Sequence, residues 1–279
     1  MHKGLPEDIL LSWPYNPRHP MIPPRAILAS VTFSETSRVE LVLAARLARH
    51  CGADLHVLYV EDPLLDAAAR HAGIDLGRST ERELQRFVAE AWPAALCSPQ
   101  THVVAGAAVD VILDVAHQQG ADLIVVDGGR ISGAEKLLFG STTEGLLRRA
   151  DVSLLVAPAE WRPPQPDAAD LSNLGPVIAI VDMSDQPSVA ASKAARELAL
   201  LLGTSVEIVQ AVPDGPMPAG LANRLAEAAG QRPDRAPMLV LGKNAPISKN
   251  AWPGALVNRV LAGGTVPILL YVAEQIAQL

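Results

Sequence analysis

Two stretches of this chain carry the same order of apolar and chain-breaking residues, and that order constrains the fold more than any other feature. Residues 25–63, RAILASVTFSETSRVELVLAARLARHCGADLHVLYVEDP, read as apolar strand, polar turn, amphipathic helix, glycine and apolar strand. Residues 176–214, PVIAIVDMSDQPSVAASKAARELALLLGTSVEIVQAVPD, repeat that order. DVSLLVAPA (151–159) and TVPILLYVA (265–273) close the two halves alike. The period is longer than a solenoid repeat, so the match predicts two domains rather than an array.

The first half reads in full as strand 25–33, helix 37–52, strand 54–62, helix 64–92 broken near Gly73–Gly77, strand 101–106, helix 108–120, strand 122–127, helix 141–150 and strand 151–159. Val39, Val42, Leu43 and Leu47 mark the apolar side of the first helix. The second half reads as strand 176–184, helix 188–203, strand 205–214, helix 218–230, strand 237–244, helix 254–264 and strand 266–274, one strand–helix unit fewer. Strands alternating with helices predict a parallel α/β sheet with right-handed crossovers. Four units follow: a proline-rich arm (1–24), a first domain (25–160), a linker (161–175) and a shortened second domain (176–279).

Composition excludes several classes. Aromatic residues make up only 4% of the chain, so the core must be built from Ala, Val, Leu and Ile. No apolar run approaches the ~20 residues of a membrane span, and the N-terminus lacks the apolar region of a secretory signal. The cytoplasm is the expected compartment, with Cys51 and Cys97 as reduced thiols. The net charge of −7 lies in the first part of the chain, and no basic stripe speaks for nucleic acid. His50, His56, His71, His102 and His117 show no metal-ligand spacing, so no metal site is expected. Glu61, Asp62 and Asp66, after the second strand, read as solvated acids.

The strongest site signal is GGRISGAEKLLFGSTTEGLLRRA (128–150), directly after the apolar strand DLIVVD. Glycines let backbone approach an anion, and the free N–H groups of a following helix favour negative charge. Gly140, Ser141 and Thr142 stand where that helix begins, with two hydroxyls able to cap it or to bind a phosphate oxygen. An ordinary loop with a capping hydroxyl would look the same.

ILASVTFSETS with its helix, DLHVLYVED, GADLIVVDGG and GAEKLLFGSTTEGLLRRADVSLLVAPA together resemble the universal stress protein family. The resemblance covers 25–159 closely and 176–274 more loosely. It implies α/β domains of five-stranded parallel type, Rossmann-like and related to the adenine nucleotide alpha hydrolases, here in tandem with the second abbreviated. Many members bind ATP and others have lost it, so the resemblance implies ATP as ligand, with magnesium only alongside it. Thr32 stands where ATP-binding members carry an acid, whereas the second copy keeps Asp182. The family loop runs Gly, two residues, Gly, nine residues, Gly-Ser. Gly140-Ser141 fits, Arg130 replaces the second glycine, and Gly128, Gly129 and Gly133 are out of step. The second copy, GKNAPISKNAWPGA, keeps Gly242 and Gly254 but has Ala255 for the serine.

Carried over, the adenine-nucleotide site comprises Thr32, Ser34 and Val60 at strand ends, with Gly128, Gly129, Arg130, Gly133, Gly140, Ser141 and Thr142 at the phosphates. Arg130 would either pair a phosphate bidentately or lie in solvent. No catalytic residue is expected. Three readings stand: a nucleotide-binding module, a scaffold acting through an unidentified protein partner, and a slow ATPase. The apolar closing strands are expected to pair with each other as an internal pseudo-dimer, which leaves a homodimer of whole chains open.

Overall fold

The computed structural model describes residues 23–91, 98–128, 141–158, 161, 171, 174–182, 186–211, 236–244 and 266–273. Within these lie nine strands and six helices. The first half runs β1 (Ala26–Val31), α1 (Glu35–Cys51), β2 (Asp54–Glu61), α2 (Pro63–His71), α3 (Leu76–Ala91), β3 (Gln100–Ala105), α4 (Ala108–Gln118), β4 (Leu123–Asp127), α5 (Ser141–Arg149) and β5 (Ser153–Ala157). The second runs β6 (Leu174–Asp182), α6 (Gln186–Leu201), β7 (Val206–Ala211), β8 (Ala236–Asn244) and β9 (Ile268–Ala273). The arm expected at 1–24 lies outside the described residues up to residue 22, as do the helices expected at 218–230 and 254–264.

All nine strands form one sheet in the order β3-β2-β1-β4-β5-β9-β8-β6-β7. The order β2-β1-β4-β5 of the first half recurs as β7-β6-β8-β9 in the second, with no counterpart of β3 among the described residues. Every pairing is parallel except the seam, where β5 runs antiparallel to β9 with Leu154 opposite Leu270 and Val156 opposite Ile268. The two apolar closing strands do lie together, so neither is left as an exposed edge. His50 of α1 fastens the seam from one face, its Nε2–H donating to the Leu201 carbonyl at the end of α6 at 2.8 Å.

Alternation along the strands divides the core into two layers. Ile27, Ala29, Val57, Val125 and Leu155 face α1, α3 and α6, and the same layer continues through Val177, Ala179 and Val240. Leu28, Leu58, Ile124 and Leu154 face α4 and α5, continuing through Ile178, Ile180 and Leu270. Helices α4 and α5 pack closely because Gly145 leaves room for Val109: a Cβ at Gly145 would meet Val109 Cγ2 at 2.5 Å.

Two expectations are refined and one, the extent of the linker, needs correction. The apolar side of α1 includes the one expected, with Leu43 and Leu47 buried and Val39 and Val42 packed against the core, and is wider. Glu40, Leu41, Leu43, Ala44, Leu47 and Ala48 are buried, whereas Val39 and Val42 are only half-buried. Strand β6 begins at Leu174, inside the expected linker, where Leu174 pairs with Ala236. The break near Gly73–Gly77 separates two helices, and none of the residues of α2 is buried.

Leu270→Ala removes a fully buried side chain from the seam. The expected cost is about 2–5 kcal/mol of unfolding free energy, measured by urea denaturation. A double-mutant cycle with Leu154→Ala should show coupling between these facing residues.

Candidate functional site

Strand β1 is the point at which the first half's strand order reverses, and its two ladders differ in length. It pairs with β2 along its whole length, from Ala26–Asp54 to Val31–Tyr59. With β4 it pairs only at Ile27–Leu123, Leu28–Ile124 and Ala29–Val125. Beyond these pairs the β1–β4 ladder stops, and the C-terminal ends of the two strands mark the switch point of the sheet. In open α/β sheets that is where ligands bind.

The turn after β1 is shaped by its own side chains. Phe33 takes φ 55°, a left-handed conformation costing a bulky residue ~1–2 kcal/mol. Its ring is stacked on Tyr59 at 4.3 Å and lies edge-on to Phe87 at 5.6 Å. The turn delivers Ser34 to the N-terminus of α1, where its Oγ accepts from the Ser37 amide at 3.1 Å. Ser34 is thus a helix cap. Its Oγ also lies 3.2 Å from Thr32 Oγ1 and 2.8 Å from Thr36 Oγ1.

These hydroxyls lead to one carboxylate. Asp127 Oδ2 accepts from Thr36 Oγ1 at 3.0 Å and from Ser37 Oγ at 3.3 Å. Ser37 Oγ in turn lies 3.0 Å from Thr32 Oγ1 and accepts from the Thr32 amide at 3.0 Å. A relay therefore runs from the end of β1 through the first turn of α1 to the end of β4. On the other side of β4, Thr143 in the first turn of α5 donates its hydroxyl to the Asp127 carbonyl at 2.9 Å.

Beneath the relay lies Glu40, fully buried. Its carboxyl lies near the backbone of Asp127 and Ser30, residues beyond the last β1–β4 pair. Burial first, and the nearby Asp127 charge second, raise the Glu40 carboxyl well above the usual value of 4.5. Burial of this kind disfavours the charged form.

The expected site residues fall as follows. Thr32 and Ser34 take part in the relay. Val60 lies near the end of β2, half-buried. Gly128 follows β4, and its amide donates to the Ala157 carbonyl at 2.7 Å. Ser141 and Thr142 are the first two residues of α5 and so sit inside the helix. Gly129, Arg130, Gly133 and Gly140 lie outside the described residues.

Asp127 and Glu40 were not anticipated from the sequence, although one signal pointed to the first. Counting back along the Gly-x-x-Gly-x9-Gly-Ser pattern from Gly140 places Asp127 at the first glycine. The acids after β2 are not all solvated. Glu61 is buried, whereas Asp62 caps α2 by accepting from the Leu64 amide at 2.8 Å. Asp66 pairs with Arg70 at 2.7 Å. Linear spacing also hid a histidine pair: β2 and β3 bring His56 Nδ1 and His102 Nε2 to 3.1 Å, with burial lowering both pKa values. Among the described residues no group of three or more His, Cys, Asp or Glu is arranged to hold a metal ion.

With this geometry, comparison with known proteins becomes specific. Residues 24–158 match the model of the universal stress protein family. A crystal structure of a universal stress protein from Archaeoglobus fulgidus DSM 4304 is 16% identical, with a TM-score of 0.57, over 89% of this chain and 98% of its own. A protein from Pseudomonas aeruginosa PAO1 is 16% identical, with a TM-score of 0.54, over 89% of this chain and 92% of its own. A universal stress protein crystallised in complex with cAMP is 21% identical, with a TM-score of 0.38, over 49% of this chain and 98% of its own. The first two likenesses support the α/β fold. No curated protein is similar enough in sequence to count as a relative. No described helix is long and apolar enough to cross a membrane.

Glu40 carries a testable pH dependence. Its folded pKa lies above its unfolded value, so the folded state holds the extra proton between the two. The stability this group contributes is then full below the usual value of 4.5 and falls as pH rises towards the folded pKa. Glu40→Gln should remove this slope and be more stable than the parent at neutral and alkaline pH. Urea denaturation across that range checks the outcome.

Proposed function

We propose that this chain is a stress-response binding module of the cytoplasm whose first domain, residues 25–160, takes an adenine ligand in the crevice between β1 and β4. One observation carries the reading: the hydroxyl–carboxylate relay of Thr32, Ser34, Thr36, Ser37 and Asp127 converges on the ends of these strands, with α5 starting beside it. A phosphate would meet the first amides of α5 at Ser141 and Thr142 and the glycine loop from Gly128 through Gly129, Arg130 and Gly133 to Gly140. Val60 would offer backbone groups to the adenine edge. ATP is the ligand the family resemblance implies, with magnesium as its counter-ion. Residues 176–279 would be a shortened second copy that completes the sheet and closes the edge of β5.

A second reading is favoured by Asp127. A carboxylate at the first glycine of the phosphate loop suits a protein that has lost nucleotide and acts as a scaffold, as whole-chain dimers or with another protein.

Calorimetric titration with adenosine, AMP, ADP and ATP separates the two. Binding to about one site per chain, weakened at least about tenfold by Gly140→Val with Ser141→Ala, is expected from the adenine reading. The double variant should keep its melting temperature to within a few degrees. No heat with any of the four ligands would leave the scaffold.

A further inference from the structure

We propose that His56 and His102 form a second site, independent of the crevice: a two-histidine chelate for a divalent transition-metal ion such as zinc, which clips the edge strand β3 to β2 and keeps water in its remaining coordination positions.

Register puts the two rings together. Side chains alternate across a strand, and β2 and β3 run parallel with His56 opposite Gln100 and Leu58 opposite His102. The two histidines are therefore diagonal neighbours on one face of the sheet, within reach of long side chains. His56 Nδ1 lies 3.1 Å from His102 Nε2, with the ring centroids 5.3 Å apart and the rings tilted by 30°.

That separation is a chelating one. Zinc–imidazole bonds are about 2.0–2.1 Å long, so two nitrogens on one ion stand about 2.9 Å apart at a right angle and about 3.3 Å apart at the tetrahedral angle. The pair falls between these limits, so an ion seated on the two lone pairs requires no movement of either strand. It displaces one ring-to-ring hydrogen bond and the proton that makes it. Burial lowers both pKa values, so both rings are neutral at neutral pH and have lone pairs to give. Imidazole suits zinc, nickel and copper rather than magnesium or calcium.

Access and charge agree with the geometry. The core layer beneath α4 and α5 takes in Leu58 and Val60 of β2 and, among the described residues, none of β3. His56 is buried, His102 is half-buried, and Val104, next along the same face of β3, is exposed. The pair is therefore open to solvent from the β3 side. Asp54, exposed and two residues before His56 on the same face, brings a negative charge that acts on His56. Among the described residues no third His, Cys, Asp or Glu joins the pair, which leaves the other positions to water, as in open zinc sites.

The test is titration of the full chain with zinc chloride near neutral pH, read by calorimetry and by proton–nitrogen correlation spectra of the histidine rings. The parent is compared with His56→Gln and His102→Gln, and thermal unfolding confirms that each variant is folded. The expected result is about one ion per chain, saturable shifts of the His56 and His102 rings with those of His50, His71 and His117 unmoved, and binding weakened at least about tenfold in each variant. Zinc should also raise the melting temperature of the parent more than that of either variant. No zinc binding to the parent, shifts confined to other histidines, or undiminished affinity in both variants would overturn the proposal. Should a variant fail to fold, the ring spectra of the parent decide alone. None of these outcomes touches the adenine reading, whose site lies at the ends of β1 and β4.

Discussion

The ladder between β1 and β4 stops after three residue pairs, and the chemistry of the first half follows from that. In a closed parallel sheet the strand ends would satisfy one another. Here the ladder stops short, and the polar groups beyond it need other partners. The turn after β1 answers this from one side with a strained Phe33, held by Tyr59 and Phe87, that aims Ser34 at α1. Strand β4 answers from the other side with Asp127, which gathers the hydroxyls of α1 on its carboxylate and that of α5 on its carbonyl. Helices from both faces of the sheet are thereby tied to one residue.

The remainder of the molecule gives that crevice a rigid floor. Two apolar layers clamp the sheet, and the antiparallel seam of β5 with β9 runs both layers through into the second half. A sheet of this kind tolerates a buried acid such as Glu40 because its core supplies a large hydrophobic surplus against one desolvated carboxyl.

The architecture was legible because it rests on patterning. Strand–helix alternation, Gly52 ending α1, the apolar closing strands and Ser34 before a helix are local signals, and each emerged where it was read. The interior of the site was not legible, because it depends on which faces meet. Glu40 lies between residues that read as the apolar side of a helix, and only the packing of α1 on β1 and β4 buries the acid along with them. Asp127 ends a strand like many solvated acids, and only the packing of α1 on the sheet brings Thr36 and Ser37 to it. His56 and His102 are far apart in sequence and meet because β2 and β3 are neighbours in parallel register. Glu61 read as one of three exposed acids, yet β2 ends with its side chain turned inward.

The central claim is that the gap between β1 and β4 receives a ligand. Amide chemical-shift mapping of the full chain during titration with adenosine tests it most directly. The account predicts saturable shifts confined to Thr32–Ser37, Asp127–Gly128 and Ser141–Thr143, with α6 and the β5–β9 seam unmoved. Saturating adenosine that leaves those amides in place, or that shifts a different face of the sheet, would contradict it.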